Sequence, residues 1–557
     1  MADAHSILLR YGHSGLCVVN DADQLQGMIS RRDIDLALHH GFDHASVQGH
    51  MTHALKTITP QTPLNDMQAL MVTYDVEHLP VLDGEALVGI VTRTDILRQM
   101  GAVLMADASD ISILQSTIYQ SFQTALQTYA TAPESQDLWT LINIIAEAAQ
   151  QRGWHLYVVG GAVRDLLLAS QDGGVSIKDI DLVVDSFRSP VTEGAGVVLA
   201  QQLQRQYPDA DLQIHGEFKT AALVWPEHSG YGPLMIDIAT ARTEFYPYPA
   251  ANPEVEPSSI HQDLYRRDFT MNALAMCLTE PQPGRLLDFF GGALDIQQRQ
   301  VRVLHANSFI EDPTRIFRAV RFAVRLGFSI DAQTESFIRY AMDSGIYAAL
   351  QLENSQLKLP ALQTRLKAEL AYILQADYWS EALGLLDHLG ALRCLHTSLS
   401  IDTQLWHQIH RVGPWQKRFV AECGKDMGIP QWLMRLEVLL ARVDVGAQIA
   451  INLRLPQSSI QRLQQLGDIE PNLLTKFAHK PRPSSIYQTL VSYDLPTLLL
   501  VSVRYPKRLG SHIWCYFTKL IHVRSPIDGH YLKQLGYVPG PHYRRMLTAL
   551  THAVLDG

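Results

Sequence analysis

Apolar side chains recur every three to four residues through most of the chain beyond about residue 312, where Leu, Ala and Arg are frequent. This spacing predicts one helix after another to the end of the chain. The same spacing in "SQDLWTLINIIAEAAQQRG" predicts an amphipathic helix that ends at Gly153. Residues 158–185 differ, because an apolar run, a double glycine, a short helical pattern, a polar stretch and a second apolar run follow one another. They predict a strand, a helix and a second strand.

The N-terminal part contains an internal repeat, "GHSGLCVVNDADQLQGMISRRDI" and "DVEHLPVLDGEALVGIVTRTDI". Both copies end with a glycine, a Ser or Thr and an Asp at the same spacing: Gly27, Ser30 and Asp33, then Gly89, Thr92 and Asp95. The pattern resembles a tandem pair of CBS domains, in which the Ser or Thr and the Asp can hold the ribose of an adenine nucleotide. The alternative is a purely structural pair. The first copy lacks the opening strand that precedes the second, so we expect the natural chain to begin upstream.

Composition and charge restrict the class of protein. With 557 residues the chain is too long for one core, and its 47% apolar and 18% charged residues are typical of ordinary globular domains. The five cysteines contain no CxxC pair, which favours a reducing cytoplasm over a zinc ribbon or a disulfide framework. No apolar run reaches the length of a membrane span, so we expect a soluble protein. The net charge of −10 limits any nucleic-acid contact to a local surface.

Two aspartates lie two positions apart at the start of the second predicted strand, in "KDIDLVVD". Residues i and i+2 of a strand project from the same face, so Asp179 and Asp181 form one acidic pair. Such charges repel unless a cation lies between them, and Mg²⁺ prefers carboxylate oxygens. Asp237, in the strand-like run "LMIDIA", supplies a third carboxylate. The pattern predicts a site for two Mg²⁺ ions; the alternative is an isolated DxD that caps a strand and faces solvent.

The double glycine favours the metal-site interpretation. Gly160 and Gly161 end the first predicted strand and open a helix, so backbone N–H groups at the helix N-terminus can approach an anion closely. Arg164, in the first turn of that helix, adds a guanidinium group. A triphosphate bound there would be shared with metal ions on the aspartates, as phosphoryl and nucleotidyl transfer require. The chain contains no GxxxxGK[ST] sequence, so it is not a P-loop NTPase.

These motifs resemble the head domain of class II tRNA nucleotidyltransferases and bacterial poly(A) polymerases, in the polymerase β superfamily. The likeness extends to "RRDFTMNALA", "DFFGGALDIQQRQVRVL" and "EDPTRIFRAVRFAVRLGFSID". It covers residues 156–330 closely and the helical remainder more loosely. The resemblance implies that the three aspartates are catalytic and hold metal ions and that Arg267 faces the nucleotide. Asp268 and Asn272 are expected to tie a strand to a helix.

Asp312 and Arg315 lie at the start of the helix predicted for "EDPTRIFRAVRFAVR", three positions apart and therefore next to each other on its surface. A carboxylate beside a guanidinium complements the edge of adenine or cytosine and rejects guanine and uracil. The resemblance implies that this pair is the protein's template for the incoming base. Arg318 and Arg321 continue along the helix and can contact the sugar or the phosphates. The alternative is a solvated basic helix face.

The resemblance implies an Mg²⁺-dependent nucleotidyltransferase that adds A to tRNA 3′ ends with ATP, or CCA with ATP and CTP. Residues 241–270 fill the place of a flexible loop that CC-adding enzymes shorten, which disfavours CC addition alone. The CBS pair resembles that of the long bacterial A-adding enzymes, which often carry a DHH phosphoesterase-like domain upstream. Two alternatives stay open: a poly(A) polymerase that adenylates RNA 3′ ends, and an adenine-nucleotide sensor with an inactive head. The sequence does not indicate an oligomeric state.

The elements predict a multidomain chain: an α/β CBS-type pair, an α+β polymerase-β-like head, and an all-α neck, body and tail. We expect the pair, with its incomplete first repeat, at 1–100, a helical linker at 101–135, the head at 136–275, the nucleotide-selecting neck at 276–390, and the tRNA-binding body and tail at 391–557. A C-terminal helix-turn-helix with Arg544 and Arg545 resembles the part of the family's tail that holds tRNA. The alternative there is a simple packing hairpin.

Overall fold

The structure is a computed structural model. It describes residues 1–11, 15–30, 33–34, 37–38, 42–74, 76, 78–92, 95–96, 108–127, 137–172, 180–246, 253–305, 308–345 and 360–557. The chain divides into two compact units, Met1–Ala341 and Met342–Gly557. The first unit contains the sequence repeat and the predicted nucleotide site.

The N-terminal part of the first unit consists of two small α/β halves. The first has α1 (Ala2–Tyr11) and the antiparallel pair β1 (Gly15–Val19) and β2 (Leu25–Ser30). The second has α2 (Leu64–Tyr74) and the antiparallel pair β3 (His78–Asp83) and β4 (Ala86–Thr92). Each half buries its own apolar cluster, around Leu8 and Ile29 in the first and around Ile58 and Leu79 in the second. The repeat in the sequence is therefore a repeat in the structure.

The region predicted to be a linker contains α3 (Ala108–Gln127). Its side chains Ile118, Phe122 and Leu126 are buried. Phe122 also meets Trp139 of α4 (Leu138–Gln150) edge to face, with the ring centroids 6.1 Å apart. The described part of the predicted linker is therefore a helix that packs through an apolar stripe.

A mixed sheet lies at the centre of the first unit. In the described part of the chain it has seven strands in the order β13-β12-β5-β6-β9-β8-β7. The strands are β5 (His155–Val159), β6 (Ile180–Asp185), β7 (Asp211–His215), β8 (Thr220–Trp225), β9 (Leu234–Thr240), β12 (Leu274–Cys277) and β13 (Leu286–Asp288). β6 and β9 are parallel, and the other neighbours are antiparallel. The helices α5 (Gly161–Asp172) and α6 (Ala195–Gln206) pack on this sheet.

The rest of the first unit follows β9 along the chain. It consists of the hairpin β10 (Arg242–Phe245) and β11 (Glu254–Pro257), the helices α7 (Ile260–Tyr265), α8 (Gly292–Gln297), α9 (Ser308–Glu311), α10 (Thr314–Leu326) and α11 (Ala332–Asp343), and the parallel pair β14 (Gln300–Val301) and β15 (Ser329–Ile330). α10 is amphipathic and buries Ile316, Phe317 and Val320. It ends at Gly327, whose φ of +66° suits glycine.

The second unit is helical, as the apolar spacing predicts. Its helices are α12 (Pro360–Gln375), α13 (Trp379–His388), α14 (Thr403–Cys423), α15 (Gln431–Leu440), α16 (Gly446–Asn452), α17 (Gln457–Lys476), α18 (Pro483–Leu490), α19 (Leu495–Arg504), α20 (Ser511–Thr518), α21 (Gly529–Gln534) and α22 (Pro541–Asp556). Its core contains a buried ion pair of Glu437 with Arg462, whose closest N–O distance is 2.7 Å. Among the described helices no single one could cross a membrane by length and composition, although α18 and α19, bent by 116°, together pass that test.

Candidate functional site

Two aspartates meet across the parallel strands β6 and β9. Asp181 is in register with Asp237, and both side chains are partly exposed. Residues in register project from the same face, and neighbouring strands lie about 4.8 Å apart. The two carboxylates are therefore close enough to bind one cation. The adjacent Leu182 and Ile238 are buried and hold the strands in place. Asp179, the other member of the predicted pair, lies outside the described residues.

The donor set at this edge suits the predicted metal, because Mg²⁺ takes carboxylate oxygens as ligands. Within the ranges that the structure describes, no group of three or more His, Cys, Asp and Glu side chains could hold a metal ion. Asp179, the third predicted ligand, lies outside those ranges. The Mg²⁺ site stays a prediction, supported by the adjacency of Asp181 and Asp237.

A sharp turn joins β5 to α5 at the predicted glycines. Gly160 has a φ of +66°, a conformation that residues with a Cβ rarely adopt. Its N–H donates to the carbonyl of Leu274 in β12, at 3.0 Å. A Cβ at this position would lie 2.9 Å from Nη1 of Arg267. The turn therefore brings the N-terminus of α5, which begins at Gly161, next to Arg267, and β5 lies beside the strand that carries Asp181.

Arginines from α5 and α10 converge on one aromatic ring. The guanidinium groups of Arg164, Arg318 and Arg321 lie 5.2, 5.5 and 4.8 Å from the centroid of Phe322. Arg164 is only 4% exposed, and its Nη1 donates to Oδ1 of Asn272 at 2.7 Å. The structure thus brings together arginines that the sequence analysis selected from two distant motifs.

Asp268 links Arg318 of α10 to Asn272, which is the hydrogen-bond partner of Arg164. Its Oδ1 accepts a hydrogen bond from Nδ2 of Asn272 at 3.0 Å, and its Oδ2 accepts one from Nε of Arg318 at 2.7 Å. Burial by itself would raise the pKa of Asp268, but Arg318 and Asn272 lower that pKa to about 2. The carboxylate is therefore charged at neutral pH, and it holds α10 against the segment before β12.

A network of buried ion pairs adjoins the turn, and the sequence analysis missed it. Arg266 bridges Oδ1 of Asp263 at 2.6 Å and Oε1 of Glu244 at 2.7 Å, and Arg267 pairs with Oδ2 of Asp263 at 3.1 Å. Burial acts to raise the pKa of both carboxyl groups, but the arginines hold each pKa below its usual range. A signal was available in "DLYRRD", because an Asp three and four positions before two arginines can pair with both on a helix.

Asp312 and Arg315, the predicted base-reading pair, do not both lie on the helix surface as expected, because Arg315 is buried. Asp312 accepts hydrogen bonds from the N–H and Oγ1 of Thr314, at 3.0 and 2.6 Å. Arg315 is only 6% exposed, with Nη1 donating to Oγ of Ser308 at 2.5 Å and Nη2 to the carbonyl of Arg266 at 3.0 Å. Ser308 and the carbonyl of Arg266 take one N–H each of the five guanidinium donors of Arg315 and compensate for its burial.

The two repeat signatures in the N-terminal halves have the same geometry. The hydroxyl of Ser30 donates to Oδ2 of Asp33 at 2.6 Å, and the hydroxyl of Thr92 donates to Oδ2 of Asp95 at 2.6 Å. The backbone N–H groups of Ser30 and Thr92 donate to the same carboxylates. Each predicted Ser/Thr and Asp pair is therefore one hydrogen-bonded unit at the end of a strand.

Comparison with known families agrees with this arrangement. Residues 156–302 match the family described as "Poly A polymerase head domain", and residues 1–40 and 46–102 match the CBS domain. Over these ranges the chain is similar to a poly A polymerase head domain and to CBS domains. The head domain holds Asp181, Asp237, the Gly160 turn and Arg267, whereas α10 follows it in the sequence. The resemblance found in the motifs is confirmed.

The chain is also similar to curated A-adding tRNA nucleotidyltransferases. It is 30% identical to the one from Geobacter sulfurreducens over 100% of this chain and 61% of that protein. It is 28% identical to the one from Aquifex aeolicus over 94% of this chain and 57% of that protein. The chain therefore spans about three fifths of the length of these relatives.

A solved structure shares the fold beyond the head domain. The Thermotoga maritima CCA-adding enzyme, in complex with tRNA, matches with a TM-score of 0.59 and 26% identity, over 78% of this chain and 94% of that one. The predicted fold class, a CBS pair, a polymerase head and a helix-rich C-terminal region, is confirmed.

Proposed function

We propose that the chain is a tRNA nucleotidyltransferase that transfers AMP from ATP to the 3′ end of tRNA. The observation that carries the proposal is the register of Asp181 with Asp237 on strands next to the Gly160 turn. Two adjacent carboxylates near a helix N-terminus support the proposal, because nucleotidyl transfer needs a metal ion beside the bound phosphates. The similarity to A-adding relatives favours addition of A. Complete CCA addition, with CTP as a second substrate, is the alternative.

The 3′ hydroxyl of the terminal ribose gives up its proton to solvent, and its oxygen forms a bond to the α-phosphorus of ATP. The bond from that phosphorus to the bridging oxygen of the β-phosphate breaks, and pyrophosphate leaves with the electron pair. Asp181 and Asp237, together with Asp179, would hold Mg²⁺. When bound, Mg²⁺ neutralises charge on the phosphate oxygens and lowers the pKa of the attacking hydroxyl.

The remaining residues of the site bind and orient the nucleotide. The N–H of Gly161, at the start of α5, faces the triphosphate, whereas the N–H of Gly160 donates to Leu274. Gly160 serves the site through its φ of +66°, which leaves no side chain in the turn. Arg164 supports the start of α5. Arg267, held against the turn, faces the sugar and phosphates, and Arg318 and Arg321 extend the positive surface along α10.

Base selection falls to Asp312 and Arg315. The carboxylate of Asp312 accepts from the exocyclic amine of adenine, and Arg315 donates to the adjacent ring nitrogen. In the structure Asp312 binds Thr314, so the base would replace or share that hydrogen bond.

The other regions have supporting roles in this proposal. The CBS pair within 1–100 binds an adenine nucleotide at Ser30 with Asp33 and at Thr92 with Asp95. The segments 136–275 and 276–390 act as head and neck, and 101–135 connects them to the pair. The body and tail at 391–557 hold tRNA through exposed basic side chains such as Arg544. Five free cysteines suit a cytoplasmic protein.

The test uses tRNA transcripts that end in the discriminator base, in C or in CC, each mixed with one nucleoside triphosphate and Mg²⁺. We expect ATP to extend the CC-ending tRNA by one nucleotide and GTP and UTP to give no product. Incorporation of CTP on the shorter tRNAs would assign CCA addition instead. Failure of every nucleotide on every tRNA would overturn the proposed function.

A further inference from the structure

Asp263 is a buried carboxylate to which the mechanism above gives no role. It is 0% exposed and lies in α7. Its Oδ1 accepts from Nη2 of Arg266 at 2.6 Å and from the N–H of Arg242 at 3.3 Å, and its Oδ2 accepts from Nη2 of Arg267 at 3.1 Å. One side chain therefore fixes two consecutive arginines and the first residue of β10.

Each of the two arginines leads to a different part of the nucleotide site. Nη1 of Arg267 lies against Gly160, and its Nε is buried without a hydrogen-bond partner among the described residues. The carbonyl of Arg266 accepts from Nη2 of Arg315 at 3.0 Å. A shift of Asp263 would therefore move Arg267, which lies beside Gly160. It would also move the carbonyl of Arg266, which binds Arg315.

The charge of Asp263 is as important as its shape. Arg266 and Arg267 are consecutive and largely buried, so their guanidinium groups repel each other unless acidic groups lie between them. Glu244 pairs with Arg266 at 2.7 Å. In the described part of the chain, Asp263 is the carboxylate for which an ion pair with Arg267 is seen. A neutral side chain of the same size would leave Arg267 free to leave the turn.

We infer that Asp263 is a positioning residue for nucleotide selection, which holds Arg267 at the glycine turn and Arg315, through Arg266, at the base. This inference rests on the proposed function and extends it to a residue that does not touch the substrate. Asp263 would then determine the affinity for the purine nucleoside triphosphate and the preference for adenine. The chemical step would depend on Asp181 and Asp237.

The test is Asp263→Asn, which keeps the size of the side chain and removes its charge. Steady-state kinetics with CC-ending tRNA should show the KM for ATP raised about 10- to 100-fold, because a charge-assisted hydrogen bond is lost. We expect kcat at saturating ATP to change less than about threefold, and the preference for ATP over GTP to fall at least about tenfold. An unchanged KM and an unchanged preference would overturn the inference.

A matched control separates positioning from general destabilisation. Glu437 is also 0% exposed and holds the buried Arg462, but it lies in the second unit. Glu437→Gln should lower the melting temperature as Asp263→Asn does and leave the KM for ATP and the ATP preference at wild-type values. A rise in KM with both variants would assign the effect to loss of stability and overturn the inference.

Two further variants keep the inference falsifiable. If Asp263 acts through Arg267, adding Asp263→Asn to Arg267→Ala should raise the KM for ATP by less than about threefold more, whereas independent effects would multiply.

If Asp263→Asn does not fold, the test uses Asp263→Glu, which keeps the charge but moves it by one methylene. This variant should still raise the KM for ATP at least about fivefold, and a wild-type KM would overturn the inference. A wild-type protein that incorporates no nucleotide would instead refute the proposed function.

Discussion

In the proposed function Asp312 would have two competing roles, because the carboxylate that would read the base also accepts hydrogen bonds from Thr314 at the start of α10. Asp312→Ala removes the group that rejects a carbonyl on the incoming base. Discrimination against GTP and UTP should fall about 10- to 150-fold, since a charge-assisted hydrogen bond is worth about 1.5–3 kcal/mol. Competition assays with all four nucleotides on CC-ending tRNA measure this ratio.

The control for that variant is a cap of the same kind elsewhere. Asp137 accepts from the N–H of Trp139 at 3.1 Å and from the hydroxyl of Thr140 at 2.8 Å at the start of α4. Asp137→Ala should cost about 1 kcal/mol of unfolding free energy, as a lost N-cap does, with selectivity unchanged. If Asp312→Ala lowers the rates with all four nucleotides by one common factor, Asp312 is only a helix cap.

Single residues show where sequence reasoning succeeds and where it ends. The face from which Asp181 projects could be predicted, because the two-residue period of a strand fixes it. The register of Asp181 with Asp237 depends instead on how the two strands pair. The burial of Arg315 could not, since it depends on Ser308 and on the carbonyl of Arg266, which is distant in sequence. The position of Glu244 likewise follows from packing of α7 against β10, which no local pattern contains.

In the proposed function, the turn between β5 and α5 decides how closely a phosphate can approach. Gly160→Ala places a Cβ 2.9 Å from Nη1 of Arg267 at a φ of +66°. Gly153→Ala is the matched control, because Gly153 has a φ of +73° and nothing within 4 Å of an added Cβ. Both variants should lose about 1–2 kcal/mol of unfolding free energy through backbone strain.

Only Gly160→Ala should also raise the KM for ATP, by about tenfold or more, because Arg267 must move and the N–H groups are partly covered. Denaturant unfolding and steady-state kinetics on the two variants give both quantities. Equal KM values for Gly160→Ala and Gly153→Ala would show that the turn does not bind the triphosphate.

At the level of elements, the local order was predictable and the pairing was not. β5, α5 and β6 lie at the places where the apolar runs and the double glycine predict them. The insertion of β12 beside β5 was not predicted, because it joins residues more than a hundred positions apart through contacts such as Ala275 with Val159. Strand order depends on such non-local contacts, whereas periodicity reports only the buried face.

For the whole molecule, the order of domains followed from the repeat and the motifs. The CBS pair, the head domain and the helical remainder succeed one another as predicted. The packed side of α3 was not expected of a linker. Apolar spacing identifies a helix, but its partner, here Trp139 of α4, is decided by the tertiary fold.

Transfer of labelled AMP from ATP to tRNA tests the proposed site at Asp181 and Asp237 most directly. With [α-³²P]ATP, Mg²⁺ and CC-ending tRNA, the wild type should label the tRNA. Asp181→Ala and Asp237→Ala should reduce the rate at least about a thousandfold, because metal stabilisation of the transferred phosphate is worth several kcal/mol. Asp211→Ala, at an exposed position in β7, should keep the wild-type rate. Unchanged melting temperatures with lost labelling are the predicted result, and wild-type labelling by Asp181→Ala would contradict a nucleotidyl-transfer site at Asp181 and Asp237.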